Sequence, residues 1–183
     1  WASEIELLPI LVTKKSFPKM KHLGDIGYIK GDKIDPVTII SGGSPCQDMS
    51  IAGQRAGLDG DRSGLFRQQI RIVKEMRNSD IKRGRTGKDI RPRFMVWENV
   101  PGVLHTKDNA FGCFLGELCG AELPLEVSSS RWPSAGIVTG PKRRVAWRVL
   151  NAQFFGVPQR RKRVFVIASS RHGFNPAKVL FER

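Results

Sequence analysis

The most constraining stretch of this sequence is an apolar run that stops at two glycines and is followed closely by a cysteine. Residues 37–40 are apolar or β-branched and lead into Gly42 and Gly43, which is typical of a short buried strand that stops at a turn. In a parallel α/β sheet, ligands bind in the crevice beyond the carboxyl ends of the strands. We therefore expect Cys46 to lie where such a fold carries out its chemistry.

The residues around Cys46 favour a reactive thiol over a packing role. Pro45 fixes its own φ angle and pushes Ser44 towards an extended conformation, which holds the thiol in one direction. The residues that follow are mostly polar or glycine, beginning with Gln47 and Asp48. A small buried hydrophobe is the common alternative for a cysteine. Because the surroundings predict a long wettable loop, we interpret Cys46 as a candidate nucleophile.

The charge of the chain points to a polyanionic partner. Its 183 residues include 31 Lys and Arg against 17 Asp and Glu, which gives a formal net charge of +14. Basic residues that neutralise phosphates release counterions and so supply affinity for nucleic acid. Because the basic residues are clustered, we expect a nucleic acid partner. For the cluster within residues 78–93, a flexible solvated loop and a phosphate-contacting loop both remain open.

The cysteine pattern argues against a disulfide framework and against a metal site. The three cysteines are Cys46, Cys113 and Cys119, with no Cys-x-x-Cys spacing and no nearby histidine pattern. This usage is typical of a reducing, cytoplasmic environment. Cys113 and Cys119 fall on a predicted helix, where we interpret them as packing residues. No apolar run approaches the roughly 20 residues of a membrane span, so no membrane partner is expected.

Apolar runs and helical periods along the chain predict an α/β fold. Further strands are expected over residues 94–97, 145–150 and 164–168, and the short connection between the last two predicts an antiparallel pair at the edge of the sheet. Helices are expected early in the chain, over residues 65–77 after the cap Ser63, and between Asn109 and Gly120. Residues 121–140 show no regular pattern.

Polar side chains follow two of these strands in positions suited to chemistry. Glu98 comes at the carboxyl end of a strand, beside the crevice expected to hold Cys46, where burial would raise its pKa and keep it protonated. Arg161 and Arg163 precede the last strand, and alternation places them on the same side of an extended segment. For Arg160 and Lys162, a basic edge that discourages aggregation is a reasonable alternative.

Several of these segments together resemble the DNA (cytosine-5) methyltransferases of the phage and bacterial restriction-modification type. Residues 42–53, Gly-Gly-Ser-Pro-Cys-Gln-Asp-Met-Ser-Ile-Ala-Gly, followed by Arg-Ser-Gly-Leu-Phe at 62–66, resemble the family's nucleophile loop. Glu-Asn-Val at 98–100 resembles its sixth motif, and residues 149–152 with 156–165 resemble the seventh and eighth. RNA methylases that draw their nucleophile from a Thr-Cys pair fit less well, because the sequence has no Thr-Cys.

The resemblance implies an α/β, Rossmann-like sheet for an S-adenosylmethionine-dependent methyltransferase, with helices on both faces and an antiparallel edge pair. The glycine-rich first motif, the last two motifs and the target-recognition domain have no counterpart in the sequence. We therefore expect residues 1–183 to be a single, incomplete catalytic domain that lacks one or more N-terminal strands. An abrupt start at Trp1 suggests a longer protein.

The resemblance also implies a role for each matching residue. Cys46 would add to carbon 6 of a cytosine flipped out of double-stranded DNA, Glu98 would grip the ring nitrogen, and Arg161 the carbonyl oxygen. Arg163 would hold the nucleophile loop. The same motifs contribute three neighbours to the expected catalytic set, Pro45, Gln47 and Asn99. The residues expected to contact S-adenosylmethionine are Glu4 at the ribose, Ile5 and Ile26 at the adenine ring, Asp25 at the adenine amino group, and Leu65.

Two other classes of function remain open on the sequence. One is an inactive remnant that binds DNA through its basic clusters without catalysis. The other is a thiol-dependent enzyme of a different kind on a similar sheet, which would modify a small substrate at Cys46 without DNA. Neither alternative requires Glu98 and Arg161 to meet.

Overall fold

A mixed five-stranded sheet forms the centre of the protein in a computed structural model that describes residues 1–44, 64–129, 131–170 and 173–181. The strands lie in the order β1-β2-β5-β4-β3, with β1 and β2 parallel and every other neighbouring pair antiparallel. The strands are β1 (Ile39–Gly42), β2 (Phe94–Asn99), β3 (Ala135–Thr139), β4 (Arg144–Asn151) and β5 (Lys162–Ser169).

Helices cover both faces of this sheet, as the sequence predicted. They are α1 (Leu7–Ser16), α2 (Leu65–Lys82), α3 (Ala110–Cys119) and the short α4 (Ala177–Leu180). Side chains along β5 alternate between the faces. Val164 and Val166 face the core shared with α2 and α3, whereas Ile167 packs with Leu180 of α4 on the opposite face.

Helix α2 is amphipathic and packs its apolar stripe on the sheet. Its buried residues recur at helical spacing and include Phe66, Ile70, Val73 and Met76. The helix continues to Lys82, beyond the expected end at residue 77. The expected cap Ser63 lies outside the described residues, and Gly64 occupies the N-cap position with a φ angle of 87°.

Helix α3 begins and ends where the sequence predicted, but Asn109 does not cap it. The Asn109 side chain instead donates to the carbonyl of Leu125 and accepts from the indole of Trp132. The amide of Ala110 is bound by the side chains of Thr106 and Asp108. At the other end Gly120 adopts a φ angle of 82°, a left-handed conformation that favours glycine.

The two cysteines of α3 are partly or fully packed, in line with the sequence interpretation. Cys119 is buried and lies close to the carbonyl of Gly116. Cys113 is half-buried, and burial together with the nearby Glu117 carboxylate raises the pKa of its thiol. The raised pKa of the Cys113 thiol is the opposite of the lowered pKa that marks a nucleophile.

Strand β3 was missed at the sequence level, because residues 121–140 showed no regular pattern. β3 pairs with β4 in antiparallel register, so the predicted pair β4 and β5 is antiparallel but has one further strand outside it. Gly136 packs against the ring of Trp147, where a Cβ atom would clash. None of the five residues of β3 is fully buried, so this glycine-containing strand has no marked hydrophobic alternation for sequence analysis to detect.

Candidate functional site

The ends of four strands meet at one edge of the sheet, which we call the carboxyl edge. Since β1 and β2 are parallel, both end there, at Gly42 and Asn99. β5 runs antiparallel to both β2 and β4, so it begins at this edge, where β4 ends at Asn151. The expected catalytic residues on either side of these strand ends are therefore neighbours in space.

Glu98 and the two arginines come together at the carboxyl edge. The Nε atom of Arg163 lies 2.9 Å from Oε1 of Glu98, and Nη2 of Arg161 lies 3.9 Å from the same oxygen. The Glu98 side chain is 36% exposed, so it is half-buried at this edge. Its carboxylate lies beside two guanidinium groups.

Buried polar groups fix the point at which the chain leaves β1. The Nδ2 atom of Asn99 donates to the Ser44 carbonyl at 2.8 Å, and the Trp97 indole lies 3.3 Å from the Ser44 hydroxyl. A Cβ atom on Gly43 would lie 2.9 Å from the Glu98 carbonyl, so glycine permits this close approach. These contacts hold Ser44 close to Glu98 in the structure.

Three of the expected catalytic residues, Pro45, Cys46 and Gln47, lie outside the described residues. The structure nevertheless positions Ser44, their neighbour in the chain, against Asn99. Asn99 itself is buried and bridges two backbone groups, since its Oδ1 accepts from the amide of Val100. Asn99 thus positions backbone at this site.

Asn151 also positions the site, although the sequence analysis included it only in the segment that resembles the seventh motif. Its Oδ1 accepts from the amides of Gln153 and Arg161, at 3.4 and 3.2 Å. The Ala152 amide donates to the carbonyl of Arg161. These bonds close the turn between β4 and β5, so Arg161 is held at its base and directed towards Glu98.

A cleft of about 720 Å³ opens between the first residues of the chain, the end of β1 and the start of α2. Apolar side chains, including Ile29, Ile40 and Phe66, line much of it. The lining also contains all five residues expected at the cofactor, namely Glu4, Ile5, Asp25, Ile26 and Leu65.

The polar groups of this cleft suit a nucleoside. Glu4 accepts from the amides of Ile5 and Glu6 through Oε1, and Asp25 accepts from the Gly27 amide through Oδ1. Within the part of the chain that the structure describes, the second oxygen of each carboxylate has no donor. Two carboxylates with free oxygens beside apolar walls match the hydroxyls, amino group and ring of adenosine, so these residues fit the nucleoside of S-adenosylmethionine.

Gln69 is a further residue of this cleft that sequence reasoning did not single out. It is buried on α2, donates to the carbonyl of Val96, and its amide lies against Gly42. The only signal in the sequence is a polar residue on the buried stripe of an amphipathic helix. Gln69 connects the cofactor cleft to the end of β1.

The described residues offer no candidate for a metal site or a membrane span. Among those residues, no group of three or more His, Cys, Asp or Glu side chains is placed to hold a metal ion. No helix of that part of the chain is both long enough and apolar enough to cross a membrane.

The sheet and its cleft define the class of protein. A methyltransferase of Entamoeba histolytica, EhMeth, superposes with a TM-score of 0.58 at 15% identity, over 94% of this chain and 45% of that chain. The fold is therefore the Rossmann-like fold of methyltransferases. The profile of the C-5 cytosine-specific DNA methylase family matches residues 1–179, and the chain belongs to that family. Such enzymes use S-adenosylmethionine as methyl donor.

Two curated relatives of this chain are phage proteins. The "DNA N-6-adenine-methyltransferase" of Escherichia phage P1 is 40% identical over 207 residues, which cover 100% of this chain and 27% of the relative. The "Orphan methyltransferase M.SPRI" of Bacillus phage SPR is 31% identical over 147 residues, which cover 80% of this chain and 26% of the relative. The chain thus matches about a quarter of the length of each.

Proposed function

We propose that this chain forms catalytic machinery of a DNA (cytosine-5) methyltransferase, which methylates carbon 5 of a flipped-out cytosine through a covalent Cys46 adduct. The observation that carries the proposal is the meeting of Glu98, Arg161 and Arg163 at the carboxyl edge, next to Ser44. An acid and a guanidinium at one edge of a pyrimidine supply complementary contacts to its ring nitrogen and its carbonyl oxygen.

The reaction requires a nucleophile from the protein because carbon 5 of cytosine is itself too poor a nucleophile to attack a methyl donor unaided. The Cys46 thiolate forms a bond to carbon 6, and the electron pair moves to carbon 5, which then takes the methyl group. Loss of the carbon 5 proton to a base and departure of the thiolate restore the ring. Glu98 at the ring nitrogen and Arg161 at the carbonyl oxygen stabilise the charge that develops between these steps.

The two arginines lie at different distances from Glu98, and this difference supports different roles for them. Arg163 forms the short contact at 2.9 Å and holds the carboxylate, whereas Arg161 at 3.9 Å keeps its guanidinium free for a substrate oxygen. We therefore assign Arg163 to positioning and Arg161 to the substrate. This differs from the sequence expectation, in which Arg163 held the nucleophile loop.

S-adenosylmethionine, when bound, supplies an electrophilic sulfonium methyl group. In this proposal Glu4 binds the ribose hydroxyls through its free oxygen, and Asp25 binds the adenine amino group. Ile5 and Ile26 contact the adenine ring, and Leu65 contacts the cofactor. All five residues line the cleft that reaches Gly43 and Ser44, the residues before the Cys46 segment.

The name of the phage P1 relative supports a second candidate, methylation of the adenine amino nitrogen. An exocyclic amino group attacks a methyl donor through its own nitrogen and needs no thiolate addition to the ring. The two candidates therefore differ in whether they depend on Cys46. The inactive remnant and the thiol enzyme that acts without DNA remain as further alternatives.

One assay separates these functions. The protein is incubated with duplex DNA and methyl-labelled S-adenosylmethionine, and the DNA is digested to nucleosides. We expect labelled 5-methyldeoxycytidine, lost in Cys46→Ala, and a covalent complex with DNA that contains 5-fluorocytosine. Labelled N6-methyldeoxyadenosine formed equally by Cys46→Ala would favour the adenine reaction. DNA binding without transfer would favour the remnant, and a Cys46 adduct formed without DNA would favour the thiol enzyme.

A further inference from the structure

Beside the proposed catalytic residues, the turn between β4 and β5 presents two large aromatic side chains to solvent. We call residues 152–161 the aromatic turn. Phe154 is 78% exposed and Phe155 is 64% exposed. Exposed apolar side chains are common when they occur singly, but two adjacent phenylalanines beside a site are not explained by core packing.

The aromatic turn is held in shape by its own hydrogen bonds. Asn151 accepts from the amides of Gln153 and Arg161, and the Ala152 amide donates to the Arg161 carbonyl. The backbone of residues 152–155 forms a single 3₁₀ turn that ends at Gly156, whose φ angle is 77°. The rings are therefore presented by a closed turn, so little conformational entropy is lost when a ligand binds them.

The charge around the aromatic turn is of one sign along the chain. Arg160, Arg161 and Lys162 follow the two phenylalanines in the chain and are exposed. Residues 127–181 contain eleven Lys and Arg and no Asp or Glu. Aromatic faces interleaved with cations are the combination that binds an unstacked nucleic acid strand, with bases on the rings and phosphates at the cations.

We propose that the aromatic turn is a nucleic acid contact, in which the Phe154 ring stacks on an unstacked nucleobase of the DNA while Arg160 and Lys162 bind neighbouring phosphates. The inference deepens the proposed function, because flipping a cytosine at Glu98 leaves unpaired bases close to this turn. Stacking on Phe154 offsets part of the cost of separating them. Phe154, Arg160 and Lys162 are distinct from the residues assigned to the cytosine and to the cofactor.

The test compares binding to two DNA probes that differ in a single unpaired base. One is a fully paired duplex and the other is the same duplex with one bulged nucleotide, so that no target sequence is needed. We expect the protein to prefer the bulged duplex by about tenfold, since a base stacked on an aromatic ring adds roughly that affinity. Phe154→Leu should reduce the preference to nearly one, and Phe154→Trp should retain it.

Matched variants separate stacking from charge and from apolar area. Phe17→Leu, at an exposed phenylalanine that follows α1, should leave the preference unchanged. Arg160→Gln and Lys162→Gln should each lower the slope of log affinity against log salt by about one, without changing the preference. If Phe154→Leu leaves the preference for the bulged duplex unchanged, the proposal is overturned. It is also overturned if the substitution alters self-association of the protein but not its preference between the two DNA probes.

The outcome is separable from that of the methyl transfer assay. Cys46→Ala should keep the tenfold preference for the bulged duplex, because the thiol is not part of the aromatic turn. A preference that depends on Phe154 in a protein that transfers no methyl group would support the turn and contradict the proposed function. Methyl transfer by a protein whose DNA preference is insensitive to Phe154→Leu would support the proposed function and contradict the role of the aromatic turn.

Discussion

A carboxylate with arginine partners lies near each end of strand β2, and the two groups differ in burial. At the start of the strand, Asp80 has a side chain that is 0% exposed and accepts from Arg91 through the backbone amide, Nε and Nη2, at 2.9, 3.0 and 3.3 Å. Arg83 and Arg85 lie 3.5 and 3.7 Å from the same carboxylate. At the end of the strand, Glu98 has one short contact and a side chain that is 36% exposed.

The difference shows how the same pair of chemical groups serves either stability or binding. Asp80 is saturated with donors, and a buried charge with all its partners cannot exchange them for a ligand without a large cost. Glu98 has an oxygen to which the described part of the chain offers no donor, and its second arginine is at 3.9 Å. A carboxylate of this kind can bind a substrate edge at little cost to the fold.

The largest expected effect is on catalysis, from Glu98→Gln. The substitution keeps the shape of the side chain but removes the group that we propose stabilises charge at the ring nitrogen, so kcat for methyl transfer should fall by about 10²- to 10⁴-fold. Unfolding free energy should change by less than about 1 kcal/mol, because the ion pairs are partly exposed. Transfer assays and urea unfolding check the two halves. If Glu98→Gln has a near-normal kcat, or if it lowers the unfolding free energy strongly, Glu98 does not differ from Asp80 in the way described.

Asp80→Asn should give the opposite result. Removing the negative charge leaves Arg91 partly buried without its partner, so the unfolding free energy should fall by about 3–5 kcal/mol. The matched control is Asp89→Asn, which breaks the more exposed pair with Arg93 and should cost less than about 1 kcal/mol. Urea unfolding at neutral pH measures both. Equal losses of unfolding free energy in the two variants would show that burial does not determine how much these ion pairs contribute to stability.

The pH dependence of stability provides a smaller and more specific effect. Burial alone would raise the pKa of Asp80, but hydrogen bonds and charge from Arg91, with the charge of Arg85, hold that pKa below its usual range. The Asp80 contribution is therefore complete above the unfolded-state pKa of about 3.9, and it is lost as the pH falls through the lower folded-state pKa. The difference in unfolding free energy between the protein and Asp80→Asn should narrow below about pH 4. A constant difference across that range would contradict the assignment.

The contrast between these two groups also separates what the sequence could predict from what it could not. Glu98 and Arg161 were predicted to meet because the resemblance to the family's motifs implied it, and alternation placed Arg163 on the same side as Arg161. The buried position of Asp80 was not predicted, since residues 78–93 have no apolar period and were expected to include a flexible basic loop. Its partners Arg83, Arg85 and Arg91 follow in the same loop, and nothing in their spacing specifies which carboxylate they surround.

Tertiary contacts account for the other differences. Asn109 was expected to cap α3, but its side chain binds Leu125 and Trp132, which lie beyond the helix. β3 depends on Gly136 fitting against Trp147, a contact that no local pattern encodes. The fold class and the cofactor cleft needed only periodicity and family motifs. The supporting residues Asn151 and Gln69 needed coordinates.

The smallest expected effect tests whether the carboxyl edge also contains a buried polar side chain that stabilises the fold, as Asp80 does at the other end of β2. Asn99 is 4% exposed, and its amide binds the Ser44 carbonyl and the Val100 amide. Asn99→Ala leaves both backbone groups without this partner, so the unfolding free energy should fall by about 1–2 kcal/mol, below the Asp80→Asn value because no charge is stranded. Methyl transfer should also fall, in kcat more than in KM for DNA, because Ser44 leads into the Cys46 segment. A loss of stability with unchanged kcat would mean that Asn99 supports the fold alone, and that the position of the nucleophile is set by other residues.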